Sequence, residues 1–118
     1  MKRVDKPWGH EIIWAVTDRY VGKVLHVKKG ERLSLQYHQK KDETVMVWQG
    51  RIRFEHFAAG EAPQATEMGP GEAFHVTPGL RHRMVALEDT DIFEVSTTEL
   101  DDVVRLEDAY GRKGTSAP

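Results

Sequence analysis

From Glu11 to Ser96 the chain is cut into short runs rich in β-branched and aromatic residues, each closed by Gly, Pro, Asp or Thr. The runs are Glu11–Val16, Tyr20–Lys28, Leu33–His38, Glu43–Trp48, Arg51–Phe57, Ala73–Thr77, His82–Leu87 and Ile92–Ser96. They recur about every ten residues, the rhythm of a sandwich or barrel made of many short strands. No long segment carries a 3.6-residue hydrophobic period, so helices cannot form the frame. The expected class is all-β. One exception is expected at "LDDVVRLEDAYG" (100–111), where early Asp residues and Gly111 signal a short C-terminal helix. The turn-rich stretch "AAGEAPQATEMGPG" (58–71) is expected to be a loop between two halves of the fold.

Strand periodicity aims the side chains. In "RLSLQYH" Leu33, Leu35 and Tyr37 share one face, and Ser34, Gln36 and His38 share the other. A polar stripe of that kind faces either solvent or a polar cavity. Glu43, Val45 and Val47 share a face on the next strand, and pairing through the loop Gln39–Asp42 would bring Glu43 beside His38. Gln36 and His38 lie about 6.5–7 Å apart at Cα, close enough to donate to one ion. His82, at the start of a strand after a Pro-Gly turn, offers a further imidazole. Two imidazoles with one carboxylate suit non-haem iron, and also zinc, manganese or nickel; the Gln36 amide oxygen would be a weaker, neutral fourth donor. His10, His26 and His56 have no partner at ligand spacing and read as surface or packing residues.

Composition excludes several classes. The 118 residues suit one domain able to bury about two-thirds of its unfolded surface. A formal charge of -2 gives no basic footprint for nucleic acid. The chain has no cysteine, which rules out thiolate chemistry and Cys-type zinc sites and suits a cytoplasmic protein. "MKRVDKPWGHEIIW" lacks an apolar core of signal-peptide length, and no run approaches a membrane span.

The spacings add more than the residue types. From Gly30 the chain reads G-x5-Q-x-H-x4-E-x6-G, ending at Gly50. From Gly71 it reads G-x5-T-P-G-x2-H-x3-A, ending at Ala86. The two resemble the first and second signatures of the cupin superfamily, with Gln36 for the first His, Thr77 for a Pro and Ala86 for an Asn. "KPWGHEIIW", "RLSLQYH", "KDET", "PGLRHR" and "LDDVVRLEDAYGR" together resemble the cupin domain of the type II phosphomannose isomerases, over about Lys6 to Arg112. That resemblance implies a jelly-roll β-barrel forming a single cupin domain over residues 1–112; the composition of the stretch after it, 113–118, reads as a flexible tail. It implies one divalent metal, zinc first and manganese, nickel or iron as alternatives, carried by Gln36, His38, Glu43 and His82. Where those isomerases commonly have a second His, this chain has Lys40.

Aldose–ketose isomerisation also needs a base and a cationic clamp. The candidate bases are His75, which a packed strand histidine would equally explain, and Glu94, whose "EV" is similar to the isomerase cupins. Candidate clamp residues are Arg105, Arg112 and Lys41; salt bridges to Asp101, Asp102, Glu107 or Asp108 are the plain alternative for the arginines. Trp8, Trp14 and Trp48 read as core or dimer-interface groups. The expectation is a metal-dependent isomerase or epimerase of mannose-6-phosphate isomerase type, acting on a sugar-phosphate-like small molecule. A homodimer is expected, with no nucleic-acid or membrane partner. An iron- or nickel-dependent dioxygenase and a non-catalytic sugar-binding module are the competing readings.

Overall fold

In a computed structural model, residues 1–111 and the backbone of Gly114–Thr115 are described. Arg112, Lys113 and residues 116–118 lie outside the described residues. Among the described residues, twelve strands form two antiparallel six-stranded sheets. The first sheet runs in the order β1 (Lys2–Lys6), β2 (Gly9–Val16), β3 (Val21–Val27), β10 (Thr90–Ser96), β5 (Glu43–Gln49), β8 (Ala73–Val76). The second runs β12 (Gly114–Thr115), β11 (Val104–Glu107), β4 (Leu35–Tyr37), β9 (Arg81–Ala86), β6 (Ile52–Phe57), β7 (Gln64–Met68). The eight runs marked out by composition all appear as strands, and the sheets face each other as the jelly roll requires.

Alternation sorts the interior. Val45 and Val47 of β5, Leu25 and Val27 of β3 and Ile92 of β10 meet Ile52 and Phe54 of β6 and Met84 and Ala86 of β9 in one buried cluster. At the other end of the same strands the inward positions turn polar: Lys23, Glu94 and Glu43 in the first sheet, His82 and His38 in the second. In β3 and β10 the change falls within one register step, since Leu25 pairs Ile92 while Lys23 pairs Glu94. The interior therefore has an apolar end that holds the sheets together and a polar end whose groups must satisfy one another.

Two turns of the signatures have physical reasons. Gly50, at φ +94°, links β5 to β6 across the sheets, and a Cβ there would sit 2.4 Å from Thr90 Oγ1 and 2.5 Å from the Asp89 carbonyl. Gly79, at φ +86°, donates its N–H to the His38 carbonyl at 2.7 Å and so ties the turn before β9 to the end of β4.

Three expectations need correction. The segment 100–111 is not a helix: it turns at 100–101 and then forms β11, and no helix occurs among the described residues. The alternation of buried Val103 and Arg105 with more exposed Val104 and Leu106 is a period of two, and β11 covers an open edge of β4. The early Asp102 does not cap a helix. Its carboxylate accepts the N–H groups of Gln39 (2.9 Å), Lys40 (2.6 Å) and Lys41 (2.8 Å). Second, 58–71 is not all loop, because Gln64–Met68 pairs with β6 as an edge strand. Its side chains are exposed except Met68, so no apolar alternation betrays it. Third, β4 and β5 are not a hairpin; 39–42 carries the chain from one sheet to the other. Within the expected tail, Gly114–Thr115 pairs with β11.

Three backbone donors on one carboxylate make Asp102 the fastener of the 39–42 crossing. Burial raises its pKa, but those three N–H bonds outweigh this and hold it below the ordinary aspartate value. A depressed folded pKa gives stability that is present above the unfolded value, about 3.9, and lost as pH falls through the folded one. Asp102→Ala is expected to cost about 2 kcal/mol at neutral pH. Chemical denaturation should show the gap to wild type closing as pH drops below the ordinary aspartate range; a gap that stays constant would refute this role.

Candidate metal centre

Three stretches of chain deliver the centre. His38 follows β4, Glu43 opens β5, His82 is the second residue of β9, and Gln36, in β4, lies in register with His82. All of His38, Glu43 and His82 are buried, and one donor atom from each lies within 4.8 Å of the others. The polar face of "RLSLQYH" thus looks into the barrel, not into solvent.

The tautomers follow from the hydrogen bonds. His38 Nδ1 lies 2.5 Å from the Asp102 carbonyl oxygen, and His82 Nδ1 lies 2.9 Å from the Leu80 carbonyl oxygen. A carbonyl can only accept, so both Nδ1 atoms carry the proton and donate it. In the neutral rings both Nε2 atoms then present bare lone pairs. They face the same atom, Glu43 Oε1, at 3.2 Å from His38 and 3.4 Å from His82. Three acceptors aimed at one another repel unless a proton or a cation lies between them. The buried Nε2 of His82 makes no hydrogen bond, which marks the gap. The donor set therefore fits a divalent ion. The outward carbonyls on both imidazoles are the orienting contacts that metal-binding histidines use.

Around this triad the lining is charged. Lys41 Nζ sits 3.2 Å from Glu43 Oε2 and 3.2 Å from Glu94 Oε2. Burial lowers the lysine pKa, but the two carboxylates more than offset it and hold it above the ordinary value, so Lys41 stays cationic. Burial likewise raises the Glu43 carboxyl, yet the imidazoles of His38 and His82, wherever they carry a proton at Nε2, and the Lys41 ammonium hold it well below the usual range. Glu94 goes the other way. Burial pushes it up, and the Glu43 charge adds to that, against Lys41 and Lys23. Gln36 Oε1 accepts the Ser34 hydroxyl at 2.8 Å and lines the same cavity.

Of the residues expected from sequence, Gln36, His38, Glu43, Lys41, Glu94 and Arg105 all line one cavity, and His82 closes it through its contact with Glu43. His75 does not join them. It stands on the outer face of β8, with Nε2 2.6 Å from Asp42 Oδ1, because the inward positions of that strand go to Phe74 and Val76. Arg112 lies outside the described residues. Lys6, Trp8, Lys23, Ser34 and Asp102 also line the cavity, and none of them is marked as a site residue by the sequence signatures. Only the alternation "VGKVLHV", with Lys23 on the Leu25 face, held a readable hint. His10 and His26 stack at 5.1 Å away from the centre, as expected of packing residues.

The cavity is about 60 Å³. That is room for an ion with a few waters, well short of the roughly 300 Å³ of a typical ligand site. A larger ligand would present one end to the centre and leave the rest in the mouth.

Comparison with known proteins agrees with the signatures. Residues 1–108 match the family described as Mannose-6-phosphate isomerase C-terminal. The mannose-1-phosphate guanylyltransferase ManC of Salmonella typhimurium is 33% identical over 116 residues, covering 94% of this chain and 23% of that protein. The chain thus spans about a quarter of the length of the curated relatives it matches. Among solved structures, KdgF from Halomonas sp. superposes with a TM-score of 0.72 at 24% identity, covering 83% of this chain and 88% of that one. Oxalate decarboxylase of Lactobacillus farciminis gives 0.76 at 16% identity, covering 89% of this chain and 33% of the other. These likenesses establish the fold.

Elemental analysis of the purified protein is expected to find about one equivalent of divalent metal per chain, as one closed donor set implies. His82→Ala should lose most of it, and Glu43→Gln likewise. Equal metal in wild type and both variants would place any bound ion elsewhere.

Proposed function

We propose, for a chain that belongs to the Mannose-6-phosphate isomerase C-terminal family of cupins, a metal-dependent isomerase or epimerase activity on a sugar phosphate. The observation that carries it is the meeting of three buried lone pairs, from His38, His82 and Glu43, beside a second buried carboxylate, Glu94. His38, Glu43 and His82 would hold the ion, with the Gln36 amide oxygen as a fourth donor. Zinc is the first choice for two imidazoles and a carboxylate, with manganese, nickel or iron as alternatives. Bound there, the ion supplies Lewis-acid polarisation of adjacent carbonyl and hydroxyl oxygens.

The chain's own residues supply the rest. Glu94 is the base, taking a proton from one carbon of the substrate and returning it to the neighbouring carbon. Burial, with the Glu43 charge beside it, raises its pKa above the ordinary glutamate value, which makes it a stronger base than an exposed carboxylate. Lys41, held between Glu43 and Glu94, fixes both carboxylates in place. Trp8, Leu33, Met84, Leu100 and Val103 form an apolar wall that excludes water and suits the C–H face of a sugar. That relatives are named for a mannose-1-phosphate reaction supports a sugar phosphate as the ligand class.

The small cavity favours a second reading, a sugar-binding module without turnover. One assay separates the two. Metal-loaded wild type is expected to interconvert mannose 6-phosphate and fructose 6-phosphate. Glu94→Gln should keep its metal while kcat falls about 10²–10⁴-fold, the usual worth of a general base. Melting shifts on adding hexose phosphates, with no conversion of any of them, would establish the binding module instead. Oxygen uptake with an enolic substrate would point to a cupin dioxygenase.

A further inference from the structure

The outer face of the first sheet is apolar where an antiparallel sheet facing water is ordinarily polar. One cross-strand row reads Ile12, Val24, Phe93 and Met46, in register from β2 through β3 and β10 to β5. Both exposed tryptophans stand on this face, and each stands at a β-bulge. The register of β2 on β3 shifts between Ile13 and Ala15, leaving Trp14 as the extra residue. In β5, Val47 pairs with Ile92 and Gln49 with Asp91, leaving Trp48 as the extra residue. A bulge re-aims a side chain. Trp14 lies over Gly22, where a Cβ would come 2.7 Å from the indole. Trp48 stacks on Phe93, with centroids 5.4 Å apart and planes 11° from parallel. Both indoles are thus laid on the sheet, and each is still 54% exposed.

Register also makes the patch continuous. Val95 of β10 pairs with Gly22, beneath Trp14, and shares a surface concavity with Tyr20. Val16, Tyr20 and Val95 are all more than half exposed. With the two tryptophans they leave about 600 Å² of large side chains in water. The largest apolar patch of a typical monomer is about 300–600 Å², and one side of a standard protein interface is about 800 Å². With the Ile12–Met46 row included and a polar rim around it, this face has the size of one such side. The rim carries charges closed in pairs at both ends of the strands. His26 Nδ1 lies 2.7 Å from Asp91 Oδ1 at one end, and His75 Nε2 lies 2.6 Å from Asp42 Oδ1 at the other. A surface with no excess of one sign can meet its own copy without repulsion.

We infer that this outer face docks a second copy of the chain, the two first sheets packing face to face about a two-fold axis. Flat indoles would also suit the ring of a glycan, but the aliphatic side chains between them, Ile12, Val24 and Val95, favour a protein surface. The inference does not depend on the metal centre, which lies on the inner side of the same sheet.

The test is sedimentation equilibrium of the full chain across a roughly hundred-fold range of concentration, with melting temperature and metal content measured on each sample. Wild type is expected at twice the chain mass, with a melting temperature that rises with concentration. Trp48→Glu and Val95→Asp should each weaken association at least about thirty-fold, the worth of one interface hot spot, while metal content stays at the wild-type level. Trp14→Ser, which only bares Gly22, should weaken it likewise and gives a folded variant where a charged one fails to fold. A wild type that is monomeric throughout would overturn the proposal, and so would a dimer equally tight in the folded variants. Monomeric wild type whose tryptophan fluorescence shifts on adding soluble mannan or dextran would assign the face to a glycan and overturn the second copy.

Discussion

A carboxylate buried as deeply as that of Glu43 costs several kcal/mol unless its charge is met on every side. Here the two oxygens are met differently. Oε2 faces the Lys41 ammonium, which cannot leave because Glu94 holds it from the other side. Oε1 faces two imidazole nitrogens that both spend their protons elsewhere. The lysine thus commits one oxygen and leaves the other as a single, directed donor. An ion bound at Oε1 need not compete with Lys41, so a cation can enter without breaking the ion pairs that fix the site.

That division depends on Asp102 twice. Its carboxylate gathers the backbone of Gln39, Lys40 and Lys41, the crossing that puts Lys41 and Glu43 where they are. Its carbonyl accepts the His38 proton and so turns Nε2 inward. One residue just before β11 links that strand to the tautomer of a candidate ligand histidine. The pairing of β11 with β4 and the site geometry are therefore coupled. A loosened β11 would release the crossing loop, and with it the aim of His38.

The fold and the centre of the site were largely legible in the sequence. Composition marked eight of the strands, and the spacing of Gln36, His38, Glu43 and His82 marked the centre, because short strands with fixed turns convert sequence distance into spatial distance. What escaped lay where that conversion fails. Gln64–Met68 is an edge strand with almost nothing buried, so period-two patterning had nothing to show. In "LDDVVRLEDAYG" the acidic start imitates a helix N-terminus, and only the tertiary position of Asp102 reveals that its partners are sixty residues earlier in the chain. Lys6, Glu11 and Lys23 carry no motif. Charged residues in strands ordinarily face solvent, and their burial follows from which end of the barrel they occupy. His75 erred for the opposite reason, since a histidine near a signature turn attracts notice whichever face it is on.

The two ends of the interior explain why the site can be this polar in so small a chain. Phe54, Ile52, Ile92 and Val47 are wholly buried at one end and bind the sheets together there. Stability so concentrated frees the other end from a packing role. Its charged groups then need only satisfy one another and a ligand, and their net balance is set by what binds. With Lys23, Lys41, Glu43 and Glu94 buried side by side, a divalent ion would change the local field more than any single substitution of a neutral residue. An ion held there would favour anionic ligands over neutral molecules of the same outline.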